Sequence, residues 1–417
     1  MSYAEQDMSQ HNTAQTEPPA GSRRDFFRTT TAASGLLLVS SRTAFTYQAN
    51  STVELGLLGC GSRGNWISPF FVEYAGARFV AAADVIRTHL DTTAAALKVD
   101  SKRAYYGGDA YRQMAESKLD AIVIETPPYF HPEHARAAVD AGKHVFLAKP
   151  VAVDVPGCRS ISQSAATANG KLSFWVDFQT RARPAFQEAA ERVHRGDIGK
   201  QAFAQVYYYA GRPFADKSQP GMDEGQARVM NFYMDRILGG DIIVEQNIHV
   251  IDVGNWMLGA HPTQASGTGG RTDWSGTKYN AGDAYDHFVV TYWYPNNVHV
   301  SFSSNQLTPA YSDLCVRCFG HDGCADLHYG GLVRITGKNE WTGAEKDPTF
   351  KEGAISNAKA FVESIRTGKL LNNGDQAVES NLTAILGRTA AYRQQTVTWD
   401  EMMKSNEKFE AELKLQW

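Results

Sequence analysis

Val53-Glu54-Leu55-Gly56-Leu57-Leu58-Gly59-Cys60-Gly61-Ser62-Arg63-Gly64 is the stretch that decides how the rest of the chain is read. Its first half is a short apolar run, the pattern of a strand buried on both faces. Its second half spells G-x-G-x-x-G and opens a helical stretch over 64–75. In that context each glycine has a task. Gly59 permits the tight turn, Gly61 lets backbone approach a pyrophosphate, and Gly64 lets helix and strand pack closely. The helix start, with Ser62 and Arg63, adds free N–H groups and the positive end of a dipole. Asp84 ends the next apolar run about twenty residues on, where a carboxylate meets ribose hydroxyls. Its charge favours NAD over NADP, because it repels a 2′-phosphate. Arg63 and Arg87, close by in sequence, could offset that repulsion.

Further short apolar runs follow at 121–124, 144–147 and 172–176, with helical stretches at 87–98, 109–117, 132–141 and 157–169. Asp109 fits an N-cap, Pro132 a first helical position, and Gly142 a C-terminal stop. Strand–helix alternation of this kind gives a doubly wound α/β sheet, a Rossmann dinucleotide-binding domain over 53–176. After Asp177 the rhythm changes. A helix at 184–195 and a strand at 201–209 lead to one long apolar helix from Gly239-Gly240 to Leu258. Alternating strands come at 285–294, 298–306 and 313–319, and helices at 353–367 and 376–393. Residues 177–417 therefore read as an α+β domain with a large, mostly antiparallel sheet for substrate and oligomer contacts. Its last helices are expected to pack back on the first domain.

The first 52 residues differ from the rest. Residues 1–22 are polar and read as a disordered tail. Ser22-Arg23-Arg24-Asp25-Phe26-Phe27-Arg28 then precedes an apolar run over 29–39, too short for a span of about 20 residues. Charged start, short apolar middle and polar end is the anatomy of an export signal, here of twin-arginine type. The twin-arginine export machinery is the expected partner and the periplasm the expected destination. The cleavage site is poor, so an uncleaved, membrane-anchored form stays open. With 417 residues, 43% hydrophobic and 21% charged, the chain has material for two or three domains. A net charge of −4 gives no general reason to expect nucleic acid. Five cysteines are too few and too odd for a disulfide scaffold. Cys315-x-x-Cys318, with Cys324, His321 and His328 nearby, lies in a strand pattern that turns neighbours to opposite faces. No metal is expected there, and a Cys315–Cys324 disulfide is the stronger alternative in an oxidising compartment.

Strand ends at the switch point of such a sheet line the ligand crevice. The run at 121–124 ends in Glu125-Thr126-Pro127-Pro128-Tyr129-Phe130-His131, where Thr126 and Pro127 pass beside the nicotinamide half. His131 belongs to the same cofactor turn, which it is set to steady. The next run ends in Ala148-Lys149-Pro150, and an ammonium there can polarise a carbonyl or stabilise an alkoxide. Glu245, His249 and Asp252 follow at steps of four and three, one face of a helix. Their neighbours are apolar, and ionisable groups on a buried stripe must be paired or functional. His249 titrates nearest neutrality and is the natural general acid/base. On position alone, a satisfied core histidine fits equally well.

Together these motifs resemble the glucose–fructose oxidoreductase, inositol dehydrogenase and rhizopine-catabolism (Gfo/Idh/MocA) family over about 53–405. The family's Glu-Lys-Pro appears as Ala148-Lys149-Pro150, and its Asp-x-x-x-His-x-x-Asp as Glu245…His249…Asp252. The resemblance implies that His249 takes a hydroxyl proton while hydride leaves for the nicotinamide. It implies that Lys149 stabilises the oxygen and Glu245 orients the pair. The substrate would be a sugar, cyclic polyol or derivative, with Asp177, Gln179, Arg181, Asp252, Tyr207 and Tyr209 as contacts. It also implies a homo-oligomer. Export would require a tightly held cofactor, NAD or NADP, and hence a coupled or redox-neutral cycle. An NAD-dependent glycoside hydrolase and a non-catalytic sugar-binding protein stay open beside the oxidoreductase.

Overall fold

The computed structural model describes residues 52–212, 217–218, 220–272, 282–307, 311–344 and 350–413; the expected signal lies outside them. Six parallel strands form the first sheet: β1 Glu54–Leu58, β2 Arg78–Asp84, β3 Ala104–Tyr106, β4 Ala121–Ile124, β5 His144–Leu147 and β6 Phe174–Val176. Their order is β3-β2-β1-β4-β5-β6. The chain runs outward from β1 on one side and from β4 on the other. The crevice at their carboxyl ends is the switch point that such sheets use for ligands.

Register then does something the sequence does not display. Leu58 pairs with Ala83 and with Ile124, Ile124 with Leu147, and Leu147 with Val176. The next residue of each strand or turn therefore falls in one row: Asp84, Gly59, Glu125, Ala148 and Asp177. Both faces of the sheet are covered. On one face, Phe71, Phe146 and Phe361 meet edge to face at ring distances of 5.0–6.4 Å. Phe361 comes from the helix Lys351–Thr367, so the end of the chain completes the core of its beginning.

The second sheet has nine strands: β7 Gln201–Gly211, β8 Gln264–Gly270, β9 His287–Tyr294, β10 Val298–Leu307, β11 Asp313–Gly320, β12 Gly323–His328, β13 Val333–Gly337, β14 Trp341–Ala344 and β15 Val397–Thr398. The order is β14-β13-β12-β11-β7-β10-β9-β8-β15, antiparallel except where β7 meets β10. Helices Ile248–Leu258 and Gly374–Arg393 pack on its inner face. Among the described residues, no helix is long and apolar enough to cross a membrane.

Three expectations change. β3, β8 and β12–β14 carry no clear apolar run, and pairing with neighbours makes them strands. Cys315 faces His328 across the β11–β12 ladder while Cys324 faces Phe319, so the two thiols stand several rungs apart and are free. Cys318 points into the core instead. Asp313, Cys315 and His328 do place possible ligand atoms within 4.8 Å of one another. However, Arg317 Nη2 lies 3.3 Å from His328 Nε2, and its positive charge works against a cation there.

The third change concerns the long helix, which is broken. One turn, Ile242–Glu245, is followed by a separate helix, Ile248–Leu258. At the break, His249 N–H donates to the Gln246 carbonyl at 3.4 Å rather than to that of Glu245. The Glu245 carbonyl, freed from the helix ladder, accepts the Lys149 ammonium at 2.6 Å. The interruption therefore builds part of the site.

Candidate active site

The glycine loop has the stereochemistry its motif requires. Gly59 sits at φ +100°, and a Cβ there would lie 2.6 Å from the Glu125 carbonyl carbon. A Cβ on Gly64 would fall 2.1 Å from the Gly59 oxygen. Gly61 is different: the nearest atom to a Cβ would be His89 Nδ1, at 3.9 Å. Packing within the protein does not demand that glycine. The space beside it belongs to a cavity of about 370 Å³ lined by Gly59, Gly61, Ser62, Asp84, Thr126 and Pro127, among others. The arrangement suits an extended dinucleotide, whose pyrophosphate Gly61 and Ser62 would hold and whose ribose Asp84 would meet.

Asp84 accepts from the backbone N–H groups of Cys60 and Ile86, both at 2.7 Å, which ties the loop to the end of β2. Arg63 is not beside Asp84. It turns the other way, forming an ion pair with Asp177 and lying 3.6 Å from Glu125. Arg87 lies over the Tyr106 ring, 4.1 Å from its centre, and does not line the cavity. His131 is buried, its ring nitrogens 2.8 Å from the Pro150 oxygen and 2.7 Å from the Thr126 oxygen. It holds two loops together and lines neither this cavity nor the next. His134, unforeseen in the sequence, does line it and bonds the Thr126 hydroxyl at 3.0 Å. Burial pushes its pKa down to about 3, so the ring is neutral.

A smaller chamber of about 200 Å³ shares Arg63, Glu125, Thr126, Phe232 and Tyr233 with the dinucleotide cavity. Lys149, Glu245, Gln246, His249, Asp177 and Gln179 also line it. Lys149 bonds the Glu245 carbonyl and lies 3.4 Å from its carboxylate. Burial pulls the ammonium below the ordinary lysine range, while Glu245 holds it up. Burial, then the charges of Lys149 and Arg63, depress His249 well below the ordinary histidine range. Its ring packs on Tyr329 at 5.0 Å, and among the described residues its Nδ1 has no hydrogen-bond partner. A neutral imidazole beside a buried cation suits removal of a hydroxyl proton. Asp177 is held by Arg63 and by Asn357 at 2.6 Å, and Gln179 turns its oxygen to Arg63 and its nitrogen to Tyr329.

Other expected contacts lie elsewhere. Arg181 and Asp252 satisfy each other through paired bonds of 2.8 and 2.9 Å, with Ser380 on the same carboxylate at 2.7 Å. Neither lines the chamber. Their role is to hold the helix Ile248–Leu258 in place. Asp252→Ala should therefore cost about 3 kcal/mol of stability, because it removes the buried carboxylate that holds both the partly buried Arg181 guanidinium and the Ser380 hydroxyl. Denaturant unfolding measures this, and a loss below about 1 kcal/mol would contradict the role. Tyr207 and Tyr209 stack at 5.3 Å on the outer face of the sheet. Tyr208, between them, points inward and donates to Gln246 at 2.9 Å. Strand alternation leaves the choice of face open until the sheet forms.

A dinucleotide cradle that shares a wall with a chamber holding a buried lysine and a neutral histidine defines an NAD-binding oxidoreductase. The chain belongs to the Gfo/Idh/MocA family: residues 53–178 match its NAD-binding Rossmann domain, and residues 186–326 match a Gfo/Idh/MocA C-terminal domain. Scyllo-inositol 2-dehydrogenase (NAD(+)) of Bacillus subtilis (strain 168) is 25% identical over 82% of this chain and 94% of its own length. Scyllo-inositol dehydrogenase from Lactobacillus casei, solved with NAD(H) and scyllo-inositol, superposes with a TM-score of 0.65. It is 19% identical, over 84% of this chain and all of that one. Aldose-aldose oxidoreductase from Caulobacter crescentus gives 0.67 at 17% identity, over 84% of this chain and 100% of its own.

Proposed function

We propose that this protein oxidises or reduces a secondary alcohol carbon of a sugar, cyclic polyol or derivative with a tightly held NAD. One observation carries this reading: the chamber holding Lys149, Glu245 and His249 lies against the glycine-loop cavity, the two sharing Arg63, Glu125, Thr126, Phe232 and Tyr233 in their walls. Bound NAD supplies the hydride acceptor. His249, neutral in its buried place, removes the hydroxyl proton, and Lys149 stabilises the substrate oxygen. The Glu245 carbonyl and carboxylate fix where that ammonium points. Asp84 supports NAD rather than NADP: Arg63 is taken up by Asp177, and the Arg87 guanidinium lies over the Tyr106 ring. The inositol dehydrogenases among its relatives support a polyol.

The reading includes export by the twin-arginine route with cofactor loaded, supported by Arg23-Arg24 and the apolar run after them. A captive cofactor then needs a second sugar to reset it, or a redox-neutral cycle such as glycoside cleavage. The reading also includes self-association through the outer face of the second sheet, where Tyr207, Tyr209 and the exposed Val289 lie. Sedimentation should give more than one copy per particle; a monomer at micromolar concentration would remove that part.

The test begins with protein from the exported fraction, denatured to release its nucleotide. About one NAD(H) per chain is expected, and incubation with inositols and aldoses should interconvert its oxidised and reduced forms. Stoichiometric NADP(H), or a bound nucleotide that no polyol or aldose reduces, would overturn the proposal. Cleavage of a glycoside without net change in the nucleotide would move the assignment to a hydrolase.

A further inference from the structure

Glu125 is a buried carboxyl in the chamber wall that the mechanism does not use. It sits between Gly59 and Ala148 in the row at the sheet edge, on the wall common to cradle and chamber. Its side chain is 0% exposed. Among the described residues, neither carboxylate oxygen has a hydrogen-bond partner. Arg63 from the helix Ser62–Glu73, Lys149 after β5, Asp177 after β6 and Tyr233 face it. Glu245 and His249 line the chamber beyond.

The charges around it already balance in pairs. Arg63 is paired with Asp177, and Lys149 with Glu245. Glu125 is the odd carboxyl, with only a shared guanidinium 3.6 Å away. Burying a charge without its own partner is costly, so the group stays protonated until another cation arrives. Burial accordingly pushes its pKa up to about 8. The two redox forms of a nicotinamide dinucleotide differ in this respect, because the oxidised ring is positive and the reduced ring neutral.

We propose that Glu125 makes the site distinguish oxidised from reduced dinucleotide: it keeps its proton when a neutral ring is bound and releases it to solvent when a positive ring is bound. The inference rests on the reading that the cradle holds NAD. The ionised carboxylate favours NAD⁺, so NAD⁺ affinity rises with pH through the range where Glu125 titrates, while NADH affinity does not. The carboxyl thus sets the redox bias of the bound couple.

The experiment uses the full chain, exchanged free of nucleotide, and titrates it calorimetrically with NAD⁺ and with NADH. Two buffers of different ionisation enthalpy report proton release. NAD⁺ should release a proton at pH 7 and NADH none. The ratio of their dissociation constants should shift by about tenfold between pH 6.5 and 9. Glu125→Gln should abolish both effects, leaving NADH affinity within about twofold. A ratio that is flat with pH in the native chain, or equally pH-dependent in Glu125→Gln, overturns the proposal. If the variant does not fold, the native pH series decides alone. Failure of both nucleotides to bind refutes the assignment of the cradle itself, whereas binding with a flat ratio refutes only the role of Glu125.

Discussion

His249→Ala is expected to lower kcat by about 10³-fold while the chain still holds its nucleotide. The ring stands in the chamber and not in the dinucleotide cavity. Its loss therefore removes the proton acceptor without touching the cradle. Burial with Lys149 and Arg63 keeps the ring neutral, so the acid limb of the native pH–rate profile should lie below the usual histidine range. The variant should lose that limb, which a merely structural histidine would leave in place. Steady-state rates across pH 5–9, with nucleotide content measured on the same sample, provide the check. Turnover within about tenfold of the native chain would remove His249 from the chemistry.

Gly61→Ala carries the second large effect. The added Cβ meets no protein atom nearer than 3.9 Å, and Gly61 has an extended backbone, φ −75° and ψ −163°, that alanine adopts freely. Thermal stability should stay within about 2 °C of the native chain, while NAD affinity falls on the order of 100-fold as the methyl takes the pyrophosphate's place. Gly64→Ala should behave in the opposite way. Its Cβ would overlap the Gly59 oxygen at 2.1 Å, so it should lower the melting temperature itself. Calorimetry and thermal melts on the two variants separate ligand contact from packing. Unchanged NAD affinity in Gly61→Ala would take the pyrophosphate away from this loop.

Sequence alone determined what depends on local stereochemistry. A loop that must turn sharply, admit a ligand and pack under a helix can use glycine at three fixed spacings, and Gly59, Gly61 and Gly64 supply them. Buried parallel strands need continuous apolar runs, so β1, β2, β4 and β5 were legible, and with them Asp84, Thr126 and Lys149 at their ends. His249 was legible as the group that titrates near neutrality on a buried stripe. Tertiary structure decided whatever depends on partners far along the chain. Lys149 and Glu245 are 96 residues apart, and the helix break that frees the Glu245 carbonyl has meaning only once that ammonium arrives. Arg181 and Asp252, 71 apart, find each other rather than substrate because pairing satisfies a fully buried carboxylate and a partly buried guanidinium at once. Glu125 was in plain view at a strand end. Its isolation became visible only when register set it in the row with Gly59 and Ala148, and when the two cations near it were already paired.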